Sequence, residues 1–218
     1  MQNLISFSAG LLALSLASAA GATSIDFRNA AFTPVGDVNH LSQSYGGYSF
    51  DFDALRITDM QHEGTLFWDS LDGFGIKNSN NWDADEIEGS EVLKISFGQS
   101  LYVTSFTVAD LFPETNLVEQ GHYSTNGGAT WGSFFADGAH LNGEVTVNVG
   151  GMADHLLFKS AGSTGFRQGH EFSVVAVNVG TARPASIDRN DGPAVPEPTS
   201  AMLFAAGALL VGRRSRRA

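Results

Sequence analysis

Two stretches of this chain alternate apolar and polar residues with a period of two. In residues 91–97 the side chains of Leu93, Ile95 and Phe97 fall on one face, and in residues 144–149 those of Val145, Val147 and Val149 do so. Such alternation predicts strands with one side buried. Shorter runs at 25–28, 48–52, 55–58, 65–68, 102–109, 122–124, 131–135, 155–159 and 172–179 predict further strands. The last of these is apolar on both faces near its middle, as a central strand in a two-layer core would be. Gly46-Gly47, Asp72-Gly73, Asn126-Gly127-Gly128, Asp137-Gly138, Asn142-Gly143 and Gly150-Gly151 punctuate the runs, and glycine permits the positive φ that tight turns require. Roughly ten short strands at this spacing predict an all-β fold, an antiparallel β-sandwich that is jelly-roll-like. No long amphipathic helical pattern competes with it, and no internal repeat suggests a solenoid or propeller.

The two ends depart from the alternation. Residues 4–20 are predominantly apolar, with small-residue cleavage sites at Ala17-Ser18-Ala19 and Ala20-Gly21-Ala22, which predicts a secretory signal peptide over residues 1–22. No Lys or Arg precedes Arg28, so an N-terminal membrane anchor or a misassigned start codon is the competing reading, although the run is short for a span. At the other end Pro196, Glu197 and Pro198 form a stiff extended segment. An apolar stretch at 201–211 follows, then Arg213, Arg214, Arg216 and Arg217. As a helix that stretch covers about half of a ~30 Å hydrocarbon core, too little for a comfortable permanent anchor. The arginines would hold the end on the cytoplasmic side and leave the domain outside.

In order and spacing these three parts resemble the PEP-CTERM sorting signal, a bacterial C-terminal tag read by exosortase, a membrane-embedded transpeptidase-like cysteine protease. The resemblance implies a Gram-negative, exopolysaccharide-producing host and processing at Pro196-Glu197-Pro198. It also implies delivery to the cell surface or extracellular matrix, with the export machinery and exosortase as partners and transient inner-membrane insertion of the precursor. The segment 72–97 is loosely similar to a recurring block in exported PEP-CTERM proteins with β-sandwich domains. The expected organisation is a signal peptide at 1–22, a β-sandwich domain at 23–182, a flexible linker at 183–195 and the sorting signal with its short hydrophobic helix at 196–218. The linker is rich in Pro, Asp, Asn and Gly and almost free of apolar residues.

Charge narrows the partners. Between residues 23 and 195 there are eight basic residues against 22 acidic ones, a net charge of −14. Such a surface repels nucleic acid and anionic headgroups and favours divalent cations. The chain has no cysteine, so an exported domain must be held by its core alone, with bound metal as the one supplement available. Thiolate metal sites and cysteine nucleophiles are excluded.

Candidate chemistry concentrates just before the strand at 91–97. Asn81, Asp83, Asp85, Glu86 and Glu88 offer hard oxygen donors on a loop, the set that calcium requires. The EF-hand template fails, because with Asn81 first the sixth position is Glu86 and the twelfth is Val92, so a solvated acidic loop is the competing reading. Trp82 lies among these polar residues with no alternation to bury it. It is read either as a platform on which a sugar ring stacks or as a structural residue under the loop. Trp68, Trp131, Tyr45, Tyr48 and Tyr123 are the other aromatic candidates for such a platform.

Histidines at 40, 62, 122, 140, 155 and 170 lack zinc spacing, and neither H-E-x-x-H nor G-x-S-x-G occurs. A Ser-His-Asp triad is a matter of geometry that composition does not indicate. Asp51 and Asp53 share one face of a strand, as a glycosidase pair would, or as surface charge on an edge strand would. The expected role is therefore non-catalytic: a surface or biofilm-matrix protein with polysaccharide and calcium as the ligands its composition allows. A secreted carbohydrate-active hydrolase and an ice-binding protein are the alternatives. The latter calls for a Thr-x-Thr array that the chain does not show.

Overall fold

The computed structural model describes residues 22–77, 85–113, 117–162 and 170–180. The chain divides into two compact units, Met1–Pro184 and Ala185–Ala218, and every described residue belongs to the first. Ten strands follow in chain order: β1 (Thr23–Asp26), β2 (His40–Tyr45), β3 (Tyr48–Arg56), β4 (Thr65–Asp69), β5 (Gly73–Lys77), β6 (Glu91–Ala109), β7 (Gln120–Ser124), β8 (Gly132–Phe135), β9 (Val145–Ser160) and β10 (Ser173–Gly180). All their pairings are antiparallel, and together they form one curled sheet. The only helical turn among the described residues is the 3-10 turn Ala30–Phe32, capped by the side chain of Asn29. No helix among them is long and apolar enough to cross a membrane. The fold is all-β and antiparallel, as the alternation predicts. The segments read as sorting signal and linker, and residues 1–21 of the expected signal peptide, lie outside the described residues.

Two long strands organise the sheet. The runs at 91–97 and 102–109, which read as two strands in the sequence, are one 19-residue strand, β6. Those at 144–149 and 155–159 are likewise one, β9. The first half of β6 pairs with β3, from Arg56↔Glu91 to Phe50↔Phe97, while its second half pairs with β10, from Tyr102↔Gly180 to Ala109↔Ser173. β9 follows β6 on its other side, with register shifts between Ser96 and Leu101 and between Val103 and Ser105. Such shifts bend a strand pair and increase its twist. Thus β2, β3, β7 and β8 gather about one half of the long strands, and β1, β5 and β10 about the other.

Alternation decides what is buried. Phe50 and Phe52 of β3, Leu93, Ile95 and Phe97 of β6, and Leu156 and Phe158 of β9 point into one core with Ile25, Phe74, Phe106, Val174 and Val177. Phenylalanine dominates this core. Phe27 meets Phe32 and Phe52 edge-on with ring centroids 5.2 Å apart, and Phe52 stacks on Phe74 at 4.2 Å. Pairs of this kind contribute about 0.5–1.5 kcal/mol each beyond the area they bury, which suits a domain without disulfides.

Two strands escape the sequence pattern. β2 presents only Leu41 and Tyr45 to the core side, and the Gly46-Gly47 turn (φ +61° and +85°) folds it back on β3 with Tyr45 opposite Tyr48. β5 carries two glycines in five residues. A Cβ at Gly75 would stand 1.8 Å from the carbonyl oxygen of Asp85, so the strand is thin because the acidic segment lies against it. Gly150-Gly151, expected between strands, lies inside β9.

Candidate functional site

The outward residues of β2, β3, β6, β9 and β7 form rows across the sheet that are polar apart from Leu55, Val92 and Leu157. Ser42, Asp51, Ser96 and His155 are cross-strand neighbours, and so are His40, Asp53, Lys94, Leu157 and Ser124. A third row runs Leu55, Val92, Lys159, His122, Ser133. These rows are the outward phase of strands whose inward phase builds the main core, with Leu55, Val92 and Leu157 as a small buried apolar cluster among their polar members. Two loops rise over them. After β3 the chain turns through Met60, whose φ is +57°, and returns so that Arg56 N–H donates to the Gln61 carbonyl (2.9 Å) and Glu63 N–H to that of Ala54 (3.1 Å). This return places His62 beside Asp53. Opposite, residues 125–131 bring Gly127 near His155 and lay Trp131 on Leu55, Val92 and Leu157, with Lys159 Nζ 4.5 Å above its ring. Between the loops runs an open groove of about 590 Å³ floored by Asp53, Lys94, Ser96, His155 and Leu157.

Asp53 is the centre of this face. Only 8% exposed, its Oδ1 lies 2.7 Å from His40 Nδ1 and 3.2 Å from His62 Nε2, and Lys94 Nζ stands 3.6 Å from its Oδ2. The two imidazoles are nearly parallel, at 18°. Burial of a carboxylate is offset here by several cationic or N–H partners, as it must be. His40 Nε2 in turn lies 3.1 Å from Ser42 Oγ, which donates to Asp51 Oδ1 at 2.5 Å. Ser42, His40 and Asp53 therefore reproduce the contacts of a catalytic triad. The chemistry differs, because the Ser42 hydroxyl hydrogen is directed to Asp51 and not to His40. Asp51 and Asp53 share the outward face, as the alternation predicts, but β3 lies between β2 and β6 and is no edge strand.

The acidic segment leads to a second cluster. Ile87 N–H donates to the Phe172 carbonyl at 2.8 Å, which together with the close approach at Gly75 brings Asp85 and Glu86 towards Glu171, Asp110 and Glu119. Burial first, then the charges of Glu171, Asp110, Asp85 and Glu119, push the Glu86 carboxyl up to about 9. Burial and Asp72, Asp69, Asp85 and Glu171 push Asp110 up to about 7. Asp72, which bonds Asp110, is raised by burial and by Asp69 and Asp85. Asp110 also has a left-handed backbone, with φ +60°.

Of the five expected calcium donors, Asn81 and Asp83 lie outside the described residues. Glu88 is buried, and its N–H donates to Glu91 Oε2 at 3.0 Å. Among the described residues no three His, Asp or Glu side chains stand in an arrangement that holds a metal ion.

Trp82 also lies outside the described residues, as do Pro196, Glu197, Pro198, Arg213, Arg214, Arg216 and Arg217. The remaining aromatic candidates do not converge on one platform. Trp68 packs on the core and donates from Nε1 to the Phe27 carbonyl (2.6 Å), Tyr45 lies on Phe32, and Tyr123 meets Phe106 edge-on. Trp131 alone among them borders the polar face. Sequence reasoning singled out Asp51 and Asp53 there but missed His40, Ser42, His62, Lys94, Ser96 and His155. The polar phase at 94 and 96 was visible beside Leu93, Ile95 and Phe97, whereas the partners from β2, β9 and the loop come only with the pairing register.

No family model matches this chain, and no curated protein or solved structure matches it either.

Proposed function

We propose that this chain is an exported surface or matrix protein of a polysaccharide-producing bacterium, sorted by its C-terminal tag and acting by binding polysaccharide instead of by catalysis. The observation that carries the reading is the order of Pro196-Glu197-Pro198, the apolar stretch at 201–211 and the four arginines from Arg213 to Arg217. The apolar segment at 4–20 supports it with an export signal at the other end. A domain with 20 acidic residues and no cysteine, closed around a phenylalanine core, suits life outside the cell without disulfides. The fold is read more finely as a jelly-roll-like sandwich. β6 and β9 each serve two sets of neighbours across a bend, as strands do when they pass from one layer to the other at a sandwich corner.

The test is replacement of all four arginines in the native host. Loss of the cytoplasmic stop leaves precursor unprocessed or released, visible on an immunoblot of cell fractions. A variant trimmed and delivered like the parent contradicts the sorting reading. A secreted hydrolase is the second reading, favoured by the contacts among Ser42, His40 and Asp53. It ranks lower because Asp51 holds the seryl hydrogen. Polysaccharide cleavage that Ser42→Ala abolishes would reverse the ranking.

A further inference from the structure

We propose that the groove across β3, β6 and β9 is the ligand site, and that it takes an uncharged polysaccharide chain. This rests on the polysaccharide-binding part of the reading above and assigns the binding to this groove instead of to Trp82. Three features of the groove point to the ligand class. Its side chains are hydrogen-bonding groups at fixed positions on strands: among the described residues Ser96 Oγ and His155 Nε2 make no hydrogen bond, and Lys94 Nζ has only its 3.6 Å ion pair. Rigid strands hold such groups in place at little entropic cost, which favours binding.

The charge is nearly balanced, with Asp53 and Asp154 against Lys94 beside two histidines. A phosphate or carboxylate ligand would need a surplus of cations, and it would also have to approach a domain of net charge −14. The third feature is shape. The floor spans three strands, about 10 Å from β3 to β9, and is open to solvent, with Met60 as its exposed apolar side chain and Leu55 and Leu157 buried beneath the polar groups. An apolar ligand would need an enclosed cavity. An extended chain of hydroxyl-bearing rings matches both the row of hydrogen-bonding groups and the exposed apolar side chain of Met60 beside them.

The experiment is affinity gel electrophoresis of the full chain through native gels containing galactomannan, xyloglucan or mixed-linkage β-glucan, with alginate as the anionic comparator. The parent is retarded by at least one neutral polymer and not by alginate. His155→Ala, which removes a hydrogen-bonding group, and Ser96→Gln, which fills the groove, weaken that retardation at least tenfold while leaving the melting temperature within a few degrees of the parent. Equal retardation of parent and both variants overturns the groove assignment and leaves polysaccharide binding standing, with Trp82→Ala then expected to abolish it. Retardation by alginate alone overturns the uncharged class. A parent retarded by no polymer overturns the binding reading and the groove together. Should one variant fail to fold, the other still decides, since they act by deletion and by obstruction.

Discussion

Glu86 and Asp110 link this domain to pH. An ordinary glutamate loses its proton near 4.5, whereas Glu86 in the folded domain holds it to about 9, chiefly because of burial. Asp110 shifts in the same direction, from 3.8 to about 7. In both cases the folded state binds more protons than the unfolded state, so stability is full below the unfolded values and declines as pH rises through each window. For each whole proton taken up on folding the slope is about 1.4 kcal/mol per pH unit. Chemical denaturation between pH 5 and 9 is therefore expected to show a midpoint that falls with pH. Glu86→Gln should flatten the decline and make the domain more stable than the parent at pH 8. A parent whose midpoint rises over that range would show that the two carboxyls are not held in this environment. Acidic residues at 85, 86 and 88 were legible as a group in the sequence, but their fates were not. Glu86 meets Glu171, Asp110 and Glu119 through folding, whereas Glu88 is buried beside Glu91. Long-range packing, and not spacing along the chain, separates them.

At the level of the element, β6 is the member shared by both halves of the sheet. Phe106 lies in its second half, yet its ring meets Tyr123 of β7, Phe134 of β8 and Phe158 of β9 at 5.0–5.5 Å, strands gathered around the first half. Phe106→Ala should cost about 3–5 kcal/mol through the cavity it leaves. Because the two halves share β6, β9 and one core, unfolding should stay a single transition when followed by tryptophan fluorescence and by far-ultraviolet circular dichroism. Two separated transitions would mean that the halves hold together independently. Strands of strong alternation, such as 91–97, could be read directly because Leu93, Ile95 and Phe97 are all buried. β2 and β5 could not. In β2 the outward phase, His40, Ser42 and Ser44, belongs to the polar face and the inward phase includes Gln43. In β5 two of five residues are glycine for reasons of backbone approach. The fusion of four short runs into β6 and β9 was equally hidden, since the polar and glycine positions at 98–100 and 150–151 look like turns until the partner strand is known.

For the whole molecule, the domain and the tail carry different kinds of information. The domain has no matching relative, so its groove must be argued from side chains and register. The proposed sorting signal in the tail is read from order and spacing alone, which is why the sequence suggests a destination more readily than an activity. Both fit a protein of net charge −14 between residues 23 and 195, which remains soluble and resists anionic surfaces. On the proposed reading, such a protein meets neutral polymer outside the cell once both terminal segments are gone. The most direct test of that account is the intact mass of the protein recovered from its native host. The account predicts a mass lacking the N-terminal segment up to about residue 22 and everything after about Pro198. Mature protein that still carries Arg213 to Arg217 would contradict it.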